Sequence, residues 1–170
     1  MAQQLKETDQ KYLKRCLELA KESVEAGDEA FGSVLVNEAG KIIAEARNRV
    51  NEKTVLAHPE IDLAYWAAEN LSEEERAKTT MYTTGEHCPM CSAAHGWVGI
   101  GSLVYLSSAK QLGEWQKEYD LTSAPINFLP VEDIIKNVEV RGPAEGDLLE
   151  DIKKLHQWNW SKKIESDHLT

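Results

Sequence analysis

The 170-residue chain has no run approaching ~18 consecutive apolar residues, so nothing in it reads as a membrane-spanning helix. Its start, Met1 to Gln10, lacks the basic-then-apolar order of a signal peptide. Cysteine is scarce: Cys16, Cys88 and Cys91 are the whole supply, too few for a disulfide framework. In a chain without an export signal, a C-x-x-C pair such as Cys88 and Cys91 more often serves metal or redox chemistry. Basic residues are also short, 19 against 29 acidic ones, for a formal net charge of −10. Nucleic-acid affinity draws on lysines and arginines that displace counterions, so a nucleic-acid partner is not expected. No repeat, low-complexity tract or linker divides the sequence, and 42% apolar residues suffice for one core. These absences lead to the expectation of a soluble, cytoplasmic protein with one domain over residues 1–170 and no membrane partner.

What is present is patterned. Tyr12, Leu13, Cys16, Leu17, Ala20 and Val24 recur at three- and four-residue steps, predicting one buried face of a helix capped by Asp9 and stopped at Gly27, with Cys16 as packing. Phe31–Val36 and Lys41–Ala46 are β-rich runs around a turn whose Gly40 suits a positive φ, and they read as a hairpin. Helices are expected from Pro59 to about Asn70, after a capping box at Ser72-Glu73-Glu74-Glu75, and from Cys88 to Val98. Strands are expected over Thr79–Thr84 and Ser102–Leu106. Further on, the reading gives a helix over Ala109–Tyr119, strands at Ile126–Leu129 and Val138–Arg141, and a helical turn over Val131–Lys136. Ala144 to about Trp160 reads as a helix striped by Leu148, Leu149, Ile152, Leu155 and Trp158. Strand and helix alternation after an initial hairpin predicts a three-layer α/β/α sandwich with a mixed central sheet.

The residues that carry chemistry are His58-Pro59-Glu60 and Cys88-Pro89-Met90-Cys91. A catalytic zinc typically has three protein ligands and one open position; one imidazole and two thiolates meet that need. Both sets fall at predicted helix N-termini, where the helix dipole favours thiolates. Glu60, two residues past His58, lies where a carboxylate can move protons for a metal-activated water without binding the metal. Structural zinc and a redox pair are the alternatives, and a redox pair leaves His58-Pro59-Glu60 unexplained.

The pattern H-x-E followed by P-C-x-x-C resembles the cytidine deaminase superfamily, whose members hydrolyse amine-bearing ring carbons with zinc. The likeness runs from about Phe31 to Leu106. His87 stands where the superfamily usually has proline, and Pro59 where alanine is common. Phe31-Gly32-Ser33-Val34 and Arg47-Asn48-Arg49-Val50 resemble segments of bacterial guanine deaminases. The resemblance implies that Zn2+ is the cofactor, that Asn48 hydrogen-bonds a base, and that Phe31 and Trp97 line its pocket. It also implies that Trp158 or Trp160, in a C-terminal segment over residues 144–170, closes the site. It further implies a homodimer. The substrate so implied is a small free heterocycle, guanine- or cytosine-like or an aminotriazine. The alternatives are a nucleoside or tRNA deaminase and a non-enzymatic zinc module. His87 and His95 are expected beside the metal rather than on it, His156 and His168 at the surface, and Glu114, Asp120 and Glu145 solvated.

Overall fold

Gly40, at φ +75°, turns the chain back after Asn37, and the flanking runs pair antiparallel as β1 (Gly32–Val36) and β2 (Ile42–Arg47). The computed structural model describes residues 3–122 and 124–167. Three further strands, β3 (Thr80–Gly85), β4 (Ser102–Ser107) and β5 (Glu139–Arg141), complete one sheet of order β2-β1-β3-β4-β5. The β1/β3 pairing is antiparallel, while β3/β4 and β4/β5 are parallel, so the sheet is mixed as expected.

Strand alternation sends side chains to two cores. Val34, Val36, Tyr82, Val104 and Leu106 pack with α1 (Asp9–Glu25) and α7 (Asp147–Asp167). Leu35, Met81, Leu103 and Tyr105 belong to the opposite cluster, with Leu63 and Ala67 of α2 (Pro59–Asn70). The second layer also holds α4 (Pro89–Val98), packed on α2, and α6 (Val131–Ile134), packed on α4. Short α3 (Glu73–Ala77) opens with the expected capping box, Ser72 and Glu75 each bonding the other's backbone, and α5 (Ala109–Glu118) follows β4. Helices therefore cover both faces of the sheet. Gly32 permits close seating of α1, since a Cβ there would lie 2.4 Å from the Cys16 carbonyl oxygen. Among the described residues no helix is long and apolar enough to cross a membrane.

Four sequence expectations are corrected. Asp9 is not the cap of α1: that position is Thr8, and the Asp9 carboxylate turns inward to Arg141 (2.9 Å to each of two nitrogens) and the Tyr82 hydroxyl (2.9 Å). A buried arginine needs that partner more than a helix end does. Ile126–Leu129 forms no strand, because β5 already occupies the place beside β4; Ile126, Phe128 and Leu129 are exposed. Helix α7 begins at Asp147, not Ala144, as Gly142 and Gly146 take positive φ and Pro143 lies between them. Its buried face is Ile152, His156, Asn159 and Trp160, four residues at helical spacing, so His156 is interior at 1% exposed and Trp158 turns outward. The surface expectation for His168 lies outside the described residues.

Candidate metal centre and active site

His58 and Cys88 are the N-cap residues of α2 and α4, both extended (φ/ψ −81°/143° and −66°/163°), each followed by proline at the first helical position. An N-cap side chain ordinarily accepts a bond from the first turn. Neither of these does, and proline removes one donor that would ask for it, so imidazole and thiol are left to face each other. His58 Nδ1 lies 3.6 Å from Cys88 Sγ and 3.6 Å from Cys91 Sγ, and its backbone hydrogen bond to Val55 orients the ring. Zinc bonds of ~2.3 Å to sulfur and ~2.0–2.1 Å to nitrogen at tetrahedral angles place S and N about 3.5 Å apart. The donors present thus fit one tetrahedral ion with a position to spare. Among the described residues, His58, Cys88 and Cys91 are the group gathered tightly enough to hold a metal. Cys16 is buried elsewhere, its thiol pushed up by desolvation.

The Cys91 hydrogen bond, reinforced by His58, brings Cys88 down to about 4, while the same bond and burial push Cys91 up. A hydrogen bond with Cys88 raises His58. Such a site favours a cation that would take up the remaining negative charge.

Glu60, 5% exposed, sits on the first turn of α2 with Oε2 3.7 Å from Cys91 Sγ. Burial pushes its carboxyl above the ordinary carboxylate range. Thr83 Oγ1 donates to Glu60 Oε1 at 2.8 Å and Ser33 Oγ lies 2.8 Å from Thr83 Oγ1. With one proton per hydroxyl, Thr83 donates to the carboxylate, while Ser33 Oγ stands within donating distance of Thr83 Oγ1 and, at 3.2 Å, of Glu60 Oε1 itself, so both hydroxyls hold the carboxylate. Neither residue was singled out from the sequence. The available signal was a small hydroxyl residue among the buried positions of each strand.

Phe31 lies at the same end of the sheet: a Cβ on Gly85 would meet its ring at 3.0 Å, and its carbonyl accepts from the Asn48 N–H at 2.9 Å. Asn48 is buried, with Oδ1 taken by the Val50 and Glu29 N–H groups. This is the self-bonded turn that Asx residues build, and among the described residues its Nδ2 makes no hydrogen bond. The structure does not bring the tryptophans to the metal ligands. Trp97 is 90% exposed on α4, and Trp158 is 47% exposed beneath Lys162. Trp160 is buried, stacked on His156 and tilted against Tyr119. His156 in turn meets Phe31 edge-on at 5.0 Å, linking α7 to the rim of the site. Desolvation holds His156 down at about 3, and neither ring nitrogen has a partner.

His87 and His95 are buried beside the site and outside the metal triad, with His87 Nε2 3.1 Å from His95 Nδ1 and His95 Nε2 3.1 Å from the Ile100 carbonyl. His95 is therefore committed elsewhere, which removes the four-ligand structural zinc site that Cys88, Cys91, His58 and His95 together would make. Glu114, Asp120 and Glu145 are exposed.

Comparison with known proteins agrees with this geometry. The family described as the cytidine and deoxycytidylate deaminase zinc-binding region matches residues 6–107. A probable cytosine deaminase of Schizosaccharomyces pombe is 30% identical over 142 residues, 82% of this chain and 86% of that protein. A tRNA-specific adenosine deaminase of Bacillus subtilis is 38% identical over 87 residues, 51% of this chain and 53% of that protein. The guanine deaminase structure from Bacillus subtilis superposes with a TM-score of 0.56 at 25% identity, covering 88% of this chain and 92% of the other. These relatives act on different bases and share the metal-binding frame. With the triad at tetrahedral spacing, Glu60 beside it and the match over residues 6–107, the chain belongs to the zinc-binding cytidine and deoxycytidylate deaminase family.

Proposed function

We propose that this protein is a hydrolytic deaminase of a small amino-substituted heterocycle, a guanine- or cytosine-like free base or an aminotriazine, working as one domain over residues 1–170. The observation that carries the reading is Glu60: a buried carboxylate, held by Thr83 and adjacent to the metal ligands, with its second oxygen free of the Thr83 bond. His58, Cys88 and Cys91 would hold a zinc ion, which when bound would supply Lewis acidity and make a water molecule more acidic. Glu60 takes the proton from the attacking water and delivers one to the ring nitrogen beside the amine-bearing carbon. It then takes the remaining proton of the hydroxyl now bonded to that carbon and passes it to the departing amine; the C–N bond breaks, ammonia leaves and the oxygen stays as the carbonyl. Its raised proton affinity suits both directions of transfer.

Support for a small free base comes from the acidic balance of the chain and from Phe31 and Asn48 sharing the rim of the site. Phe31 offers a ring face, and the Asn48 amide offers an unused donor for a polar base edge. Trp158 and Trp160, on the helix that reaches Phe31 through His156, are the residues through which α7 would act as a lid. Trp97, with Val55, Leu56 and Tyr65, is a large apolar side chain exposed on the layer of α2 and α4 or on the loop before His58. A second copy of the chain covering that layer in a homodimer would bury them and bring Trp97 toward a site.

An ammonia-release screen of the zinc-loaded protein against guanine, cytosine, adenine, their nucleosides, aminotriazines and a tRNA anticodon stem-loop tests the substrate. Release from a free base or triazine is expected. Release from the stem-loop alone, or from nothing, overturns the reading. Light scattering at micromolar concentration is expected to give twice the 19.1 kDa chain mass.

A further inference from the structure

Two side chains that take no part in the proton transfers hold the loop leading into α4. Glu86 accepts from the Ala109 N–H through Oε2 (2.9 Å) and from the Val131 N–H through Oε1 (3.0 Å), tying the loop to the first residues of α5 and α6. His87 ties it to the far end of α4. The Ile100 carbonyl can only accept, so His95 Nε2 carries that ring's proton. Burial keeps the His95 ring neutral, pushed down to about 4, which leaves its Nδ1 bare. The proton between the two rings therefore belongs to His87 Nε2, and His87 Nδ1 is left as a bare, buried lone pair with no partner. The hydrogen-bond chain begins at a backbone carbonyl just past α4 and ends at the residue that precedes Cys88.

We propose that the His87–His95 pair is a positioning device for Cys88. It fixes by hydrogen bonds a loop that a proline at position 87 would fix covalently, and so holds the Cys88 thiolate where one ion can share it with Cys91 and His58. The inference rests on the zinc site described above. Packing alone does not account for the pair, since leucine or phenylalanine would fill comparable space without burying an unbonded Nδ1. Proline at this position would forfeit nothing on the backbone, because the His87 N–H makes no hydrogen bond among the described residues.

The test compares H87A, which removes the restraint, with H87P, which replaces it by another kind. The readouts are the rate of zinc release to a chromogenic chelator and the thermal midpoint of the metal-free protein. H87A is expected to release zinc about tenfold faster than the parent, the size typical when a partner orienting a ligand is lost. H87P is expected to stay within about twofold of the parent, although it also lacks the ring pair. Equal release from H87A and parent overturns the proposal, as does H87P releasing as fast as H87A. Should H87A fail to fold, H95Q and H95F carry the same contrast. The glutamine side chain of H95Q can accept from His87 and donate to Ile100, whereas the phenylalanine of H95F can do neither, so equal release from these two overturns the proposal. A parent that binds no zinc overturns the metal site and this inference together. A parent that holds one zinc while H87A is unchanged overturns this inference alone.

Discussion

At the metal end of the site, His58 is oriented by Val55 and faces both thiols, and Glu60 is held by Thr83 with Ser33 behind it. At the α7 end, His156 is packed among Phe31, Trp115 and Trp160 with neither nitrogen bonded. A neutral imidazole always keeps one N–H, and burying it without an acceptor costs about 1–3 kcal/mol. The first region is preorganised for a charge rearrangement and has its dipoles in place. The second carries unsatisfied polarity within an aromatic shell, a cost that the fold offsets elsewhere. The carboxylate proposed to move protons is fixed in advance, whereas the helix proposed as the lid has a polar group still without a partner.

Four variants probe that contrast, beginning with the largest effect. Glu60→Gln keeps the shape of the carboxylate and removes its ability to shuttle protons. Turnover should fall about 10²–10⁴-fold with one zinc per chain still bound, and undiminished turnover would end the proton-transfer role. Cys91→Ser should lower metal content toward zero in a chelator wash; retention at the parental level would show that the triad is not the site. At the other end, His156→Phe should stabilise the protein by about 1–2 kcal/mol, seen as a rise in denaturation midpoint, because the unpartnered nitrogens disappear. The same variant should flatten the acid limb of stability. His156 is depressed to about 3 in the fold against an ordinary 6.5, so the unfolded chain binds the proton first as pH falls. Stability conferred by the neutral, buried ring is therefore full above about 6.5, declines below it, and stops declining near 3. A parental slope in His156→Phe between those pH values would show that the ring is not buried neutral. Ser33→Ala, which removes a hydroxyl that touches both Thr83 and Glu60 Oε1, should cost turnover less than tenfold, about 1 kcal/mol for one supporting hydrogen bond. A larger loss would mean that Thr83 alone does not hold Glu60.

His58, Glu60, Cys88 and Cys91 were readable because two short spacings and two helix starts encode them locally. The sheet was readable too, since Val34 and Val36 against Leu35, and Met81 against Tyr82, declare their faces by alternation. His87 and His95 were rightly expected beside the metal rather than on it, but their bond to each other was not readable, nor was the Glu86 tie to Ala109 and Val131, as these depend on partners that only the fold brings near. On α7, Leu148, Leu149, Ile152 and Leu155 do pack in or against the core, and the stripe misled at Trp158, which looks more apolar than His156 and Asn159. Yet the buried face follows the packing on α1 and β4, where Asn159 donates to the Asp28 carbonyl at 3.2 Å. Ile126–Leu129 has the composition of a strand and lacks a neighbour to pair with, which composition does not register.

The Glu86 carboxylate fastens both Ala109 and Val131, so the start of α5 and the start of α6 are pinned by a residue two places before Cys88, and the chain between them joins two fixed points. The cost of closing a flexible loop grows only slowly with length, about 0.6 kcal/mol for each doubling. Sequence change and insertion between those anchors can therefore accumulate without pulling on the metal ligands. In this clasp the chain has a place where the segment beside its metal ligands can be rebuilt at little cost to their placement.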